Sequence, residues 1–293
     1  VNGTPATGWY KANPSLGLFL SVEKVREEFA RAMASPSQQN GFRRLRLDQW
    51  VGQETRYLPM EDWRACGEPF DANELVGLPC FGGLDLSATQ DVTALALIFE
   101  REGVYYWLPQ FWIPAHDLAM RSKRDRVPYD LWVSQGLVHA TEGNQVDYGF
   151  VRKNIADLAK LYDIREIGYD RWGATLIIQD LTADGLTMIP IGQGYASMSA
   201  PTKELLRLVM GHKIRHGGNP VLMWMADCMA VKQDPSDSVK PSKPDRRKAP
   251  ARIDGIVAGV NALARMIVEA GESADDSVFV GLGDEIYGLE SPA

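Results

Sequence analysis

One carboxylate inside an otherwise apolar run constrains this chain more than any other feature. From Phe81 to Glu100 the sequence reads FGGLDLSATQDVTALALIFE. Phe81 to Leu86 is mostly apolar but carries Asp85, Ser87 to Asp91 supplies turn-forming residues, and Val92 to Phe99 is apolar and β-branched. That pattern predicts two strands joined by a short polar turn. An ionised carboxylate withdrawn from water is costly unless it is paired or binds a metal, and no Arg or Lys adjoins Asp85. Either Asp85 holds a cation jointly with other carboxylates, or it is a turn residue capping the Ser87 to Asp91 loop.

The rest of the chain narrows the classes available. With 293 residues, 45% hydrophobic and 24% charged, it is long enough for one large or two small domains of ordinary globular composition. No apolar run approaches a membrane span, and Val1 to Tyr10 lacks the basic start and apolar centre of a signal peptide. Cys66, Cys80 and Cys228 are scattered and form neither a metal-binding pair nor a disulfide framework, so a reducing, cytoplasmic setting is expected. His212 and His216 have the spacing of a helical zinc pair, but no Glu or Cys completes the set. No GxxxxGK[ST] loop occurs, which argues against P-loop nucleotide hydrolysis in this chain.

Charge is unevenly spread. Lys203 to Arg252 holds eleven Lys/Arg against five acids, a window of +6 in a chain of net −7. A basic surface on an acidic body suits a phosphate-binding face, although a solvated loop has the same composition.

Residues 1–77 read as an accessory segment. A helix over about 22–34 is capped by Ser21, Ser35 to Gly41 is a linker, and Trp50 and Trp63 are packing anchors of short elements. After the first two strands, Val104 to Ile113 is a third, aromatic strand. Pro114 to Val133 is helical or irregular and carries Arg121, Lys123, Arg124 and Arg126. Helices are expected over 147–162, 174–181, 202–212 and 251–269, with strands over 164–169 and 187–191. A strand meander followed by alternating helix and strand indicates an α/β domain with a mixed sheet. From Glu272 the chain reads as an acidic, flexible tail.

Two further acids stand as Asp85 does. Asp170 ends its strand, where open α/β sheets place ligands, although it could also cap a helix before Trp172. Asp254 lies in the first turn of the last helix, where the helix dipole alone would favour it. Acids from a first strand, a later strand end and a terminal helix converge only at one edge of a sheet.

The order of GLDLS at 83–87 with DVTA at 91–94, IGYDRWGA at 167–174 and RIDGIVA at 252–258 resembles the nuclease domain of tailed-phage terminase large subunits. The segment GQGYASMSAPTKELLRLVMGHKIRHGGNPVLMW at 192–224 is similar to the same family, and residues 1–77 resemble its linker to the packaging ATPase. The resemblance implies a ribonuclease H-like mixed β-sheet flanked by helices over 78–271. It also implies metal-dependent cutting of double-stranded viral DNA during packaging, with the terminase small subunit and portal as partners, in the host cytoplasm. The family's ATPase domain is not in this sequence.

The residues suit that chemistry. Two divalent ions about 4 Å apart activate water and stabilise the leaving oxygen in phosphodiester hydrolysis, and need a carboxylate between them. Mg²⁺ or Mn²⁺ prefers carboxylate and water oxygens, so three Asp suffice. Asp85 is expected to bridge the ions, with Asp170 and Asp254 each completing one site and Asp91 a possible auxiliary. Lys240, Lys243, Arg246, Arg247, Lys248 and Arg252 are candidate DNA contacts. The proline-rich stretch 230–250 allows a small hairpin around Asp234-Pro235, a basic flap that delivers the chain to Asp254. Competing functions are another ribonuclease H-like nuclease, of resolvase or transposase type, or a non-catalytic module docking DNA or a portal.

Overall fold

The computed structural model describes residues 7–34, 36–49, 57–87, 92–170, 175–244 and 251–283. Its centre is a mixed sheet built on β1 (Pro79–Asp85), β2 (Thr93–Arg101) and β3 (Val104–Pro114) as an antiparallel meander. β5 (Asp163–Asp170) runs parallel to β1, and β6 (Met188–Ile191) parallel to β5. Short strands β4 (His139–Thr141) and β7 (Ile214–Arg215) pair with β3, and the order is β4-β3-β2-β1-β5-β6 with β7 beside β3. The expected mixed α/β sheet is present.

The alternation of β2 sorts the core into two layers. Ala94, Ala96 and Ile98 face one cluster with α9 (Tyr195–Met210), α10 (Pro220–Asp227) and α11 (Asp254–Gly283). Leu95, Leu97 and Phe99 face another with α7 (Tyr148–Leu161) and α8 (Thr175–Ala183). This is the period-2 signature of a strand buried on both faces. Asp147 starts α7 by accepting from the amides of Gly149 and Phe150, and Asn219 does the same for α10 from Val221 and Leu222.

Glycines set how closely α11 lies on the sheet. A Cβ on Gly83 of β1 would stand 1.8 Å from the Ala258 carbonyl oxygen, and one on Gly168 of β5 would stand 2.9 Å from that of Asn261. From the helix side, a Cβ on Gly259 would stand 2.0 Å from the Trp107 ring. Helix backbone therefore rests almost on strand backbone, which only residues without a side chain permit.

Several sequence expectations differ in detail. The linker placed at 35–41 belongs largely to a helix, α3 (Pro36–Leu47); Pro36 is its first residue, where a missing N–H costs nothing. With α1 (Thr7–Ala12) and α2 (Val22–Ala34) it encloses a separate cluster of Trp9, Leu16, Val25, Ala32 and Phe42. In contrast, Tyr57, Leu58, Trp63 and Cys66, around α4 (Met60–Ala65), sit in the main core and not in an accessory layer. α9 begins at Tyr195, ahead of the expected 202, and takes Pro201 into its interior. α11 starts at Asp254 and runs to Gly283, into the stretch read as a flexible tail. Trp50 and Trp172 lie outside the described residues. No described helix is long and apolar enough to cross a membrane.

Candidate active site

Asp85 closes β1 and Asp170 closes β5. The parallel register pairs Leu84 with Tyr169, so the two carboxylates leave the same edge of the sheet side by side. Across the mouth of the β1–β2 turn, Thr93 accepts from the Ser87 amide and donates to the Ser87 carbonyl, both at 3.1 Å, which fixes the backbone that follows Asp85. The glycine contacts lower the start of α11 onto the same edge, where Asp254 is buried at 4% exposure. Asn261, also buried, donates to the Leu84 carbonyl at 3.4 Å and ties helix to strand one residue before Asp85.

Asp254 and Asp170 both act on Asp85 electrostatically. Burial pushes the Asp85 carboxyl well above the usual carboxylate range; the charge of Asp254 raises it further, Lys243 opposes, and Asp170 adds to the rise. Asp254 is raised by burial and drawn back by Lys243 and Arg252. Like charges gathered in a poorly solvated place favour protonation or a shared cation. Lys243 Nζ stands 3.6 Å from Asp254 Oδ1, whereas Asp254 Oδ2 is buried and makes no hydrogen bond among the described residues. Among the described residues no group of three or more His, Cys, Asp or Glu is closed up tightly enough to hold a metal ion as it stands. The donor set is nonetheless the hard oxygen set that Mg²⁺ and Mn²⁺ prefer.

The candidate DNA contacts divide. The expected hairpin is present as β8 (Ala230–Gln233) paired with β9 (Val239–Ser242), its turn closed by Asp234 Oδ1 accepting from the amides of Ser236 and Ser238. It leans on α9 through a hydrogen bond from the Val239 amide to Ser199 Oγ. Lys240 donates to the Gln193 carbonyl at 3.3 Å and lies 5.2 Å from the centre of the Tyr195 ring. Lys243, just beyond β9, reaches the acids. Arg252 is largely buried, 9% exposed, with Nε 3.2 Å from Asp125 Oδ2. Arg246, Arg247, Lys248 and Asp91 lie outside the described residues.

Three neighbours of the site were not singled out from the sequence. Tyr148, at the start of α7, feels the charge of Asp85, which adds to burial in raising its phenol. Asp125 is a buried acid at the end of α5 (Leu118–Asp125), with nothing in its own segment to mark it. Asn261 carried a readable signal, being the one amide in the apolar run Val260 to Leu263. The pair His212 and His216 forms no metal site: His216 stacks on Trp63 at 4.3 Å and bonds its carbonyl, while His212 meets Asp62 at 2.9 Å.

Residues 4–270 match the family described as the terminase large subunit, endonuclease domain. The chain is 36% identical over 278 residues to the terminase large subunit of Enterobacteria phage HK97, a match covering 92% of this chain and 54% of that protein. It is 29% identical over 294 residues to protein YmfN of Escherichia coli K12, covering 96% of this chain and 63% of that protein. The crystal structure of the HK97 large terminase superposes with a TM-score of 0.65 at 35% identity, over 88% of this chain and 53% of that one. The chain thus spans little more than half the length of the relatives it matches.

Proposed function

The chain belongs to the terminase large-subunit endonuclease family, has the ribonuclease H-like fold of its nuclease domains, and from that premise we propose that it cuts double-stranded viral DNA, with two divalent ions held by Asp85, Asp170 and Asp254. The observation that carries this reading is the convergence of carboxylates from β1, β5 and α11 at one sheet edge, with the buried Asp254 Oδ2 making no hydrogen bond among the described residues. Asp85, on which the charges of both Asp254 and Asp170 act, is the acid that would be shared between the two ions. Mg²⁺ or Mn²⁺ held there would supply an activated water and neutralise charge on the phosphate. The chain's own residues do the positioning: Asn261 and the glycine contacts fix the acids, and Lys243 supplies a positive charge beside Asp254 where a phosphate would otherwise be repelled. The hairpin, with Lys240 and Lys243, borders the acids as a contact for the DNA backbone. Phosphate contacts carry no base information, so weak sequence preference is expected. Concatemer cutting during packaging in the host cytoplasm, together with a small subunit and a portal, is the setting that fits this chemistry.

The test is plasmid cleavage with Mg²⁺, Mn²⁺ or EDTA by the parent and Asp85→Asn. Metal-dependent nicking and linearisation by the parent is expected, falling by about 10²-fold or more in the variant, as removal of a main electrostatic stabiliser does. Undiminished cleavage by Asp85→Asn would remove the site assignment, and retained DNA binding without cleavage under any metal would favour a docking module.

A further inference from the structure

Outside the hairpin, positive charge gathers on α5 and its end: Arg121, Lys123 and Arg124 lead to Asp125, and Arg126 follows in the left-handed region at φ 58°. Asp125 organises this group. It is 3% exposed, and its carboxylate accepts from Arg124 Nε at 2.7 Å and Nη2 at 3.0 Å, from the Tyr129 hydroxyl at 2.9 Å and from Arg252 Nε at 3.2 Å. Two guanidiniums thus share one buried negative charge. A third, Arg121, lies close enough to Arg124 that the like charge, after burial, pushes it down. Of the neighbouring acids, Asp117 is engaged with His116 at 2.8 Å. Lys123 and Arg126 are exposed. Positive charge therefore exceeds local negative charge on a chain whose net charge is −7.

The location gives that excess a meaning. Arg252 lies two residues ahead of Asp254, and the charge of Asp254 contributes to raising the Tyr129 phenol, so α5 and the following helix α6 (Tyr129–Ser134) stand beside the third carboxylate. The chain Arg124–Asp125–Arg252 is a multiply bonded strut, buried at Asp125 and Arg252, between α5 and the start of α11. An anion held on α5 is thereby kept at a set distance from Asp254. Backbone phosphates of a duplex are the anions such a surface meets next to a nuclease centre.

We infer that α5, through Arg121, Lys123 and Arg126, is a second phosphate-contact surface for duplex DNA, tied to the carboxylate centre by the Arg124–Asp125–Arg252 strut. Arg124 is consumed by the strut and is not one of the contacts. The inference rests on the nuclease reading above, and its test separates the two.

In the Asp85→Asn background, binding of a linear duplex in Mg²⁺ is followed by fluorescence anisotropy across a salt series. Lys123→Gln with Arg126→Gln is expected to weaken binding severalfold at low salt and to flatten the slope of log affinity against log salt by roughly 0.9 for each phosphate left without its cation. Adding Arg121→Gln flattens it further. Lys153→Gln with Lys160→Gln, on α7 across the sheet, leaves affinity and slope unchanged. A parent that fails to bind duplex overturns the nuclease reading and this inference with it. A parent that binds, with the α5 double variant equal to it in affinity and slope, overturns the α5 assignment alone. Unfolding midpoints accompany each variant; if the double variant unfolds, the single exposed change Lys123→Gln carries the same comparison.

Discussion

Asp85 and Asp254 are both raised, burial being the first cause in each. A carboxylate raised in the fold binds its proton more tightly folded than unfolded. Its ionisation cost is absent below the unfolded value, about 3.9 for Asp, and is fully felt once pH passes the folded one. In EDTA, Asp85→Asn should therefore unfold at a higher temperature than the parent, with a gap that widens as pH rises above the ordinary Asp value of about 3.9. A few degrees is the scale that about 1 kcal/mol produces in a chain of this size, and Mg²⁺ should stabilise the parent more than the variant. A gap that stays constant with pH would contradict the shared-carboxylate picture. Close by, Gly83→Ala sets a Cβ 1.8 Å from a backbone oxygen that no rotamer can move. It should cost more than about 3 kcal/mol, whereas Gly8→Ala, in a helix with open space around it, should be neutral or slightly stabilising. Chemical denaturation of the two variants checks this contrast.

At the level of elements, the sequence disclosed what local pattern controls. The meander, the helix–strand alternation and the Asp234-Pro235 hairpin were readable because period, β-branching and turn residues are written within a few positions. The three candidate acids were readable for a related reason: each interrupts or ends an apolar run. What pairing across the chain controls was not readable. Asp125 meets Arg252 across 127 positions, and nothing near either residue announces the other; hence Arg252 read as a surface cation and Asp125 was not noticed. The His212 and His216 spacing suggested a helix face, yet α9 ends at Met210 and the chain turns at His212 with φ 50°. β4 and β7, of three and two residues, owe their extended form to the edge of β3 and carry no pattern of their own.

For the whole molecule, the division of the core matters more than the division of the sequence. The cluster around Trp9, Phe29 and Phe42 closes on itself, with ring centres 5.4 to 6.0 Å apart. Trp63, by contrast, meets Trp107 of β3 edge-on at 5.9 Å and stacks on His216. A chain beginning at Tyr57 should keep the cooperative unfolding and midpoint of the remainder. One beginning at Leu78, the boundary that the sequence suggested, strips Leu58, Trp63 and Cys66 from the core and should lose several kcal/mol or fail to fold. Calorimetry of the two truncations decides between these boundaries.

α11 is thirty residues long, about 45 Å at the rise of an α-helix. It is clamped to the sheet near its first turns, where Gly83 and Gly168 admit its backbone and Asn261 bolts it down. Mechanically that makes it a lever with a short arm and a long one. Asp254 rides on the short arm, close to the fulcrum, so a swing of the long arm would reach the carboxylate only as a small displacement.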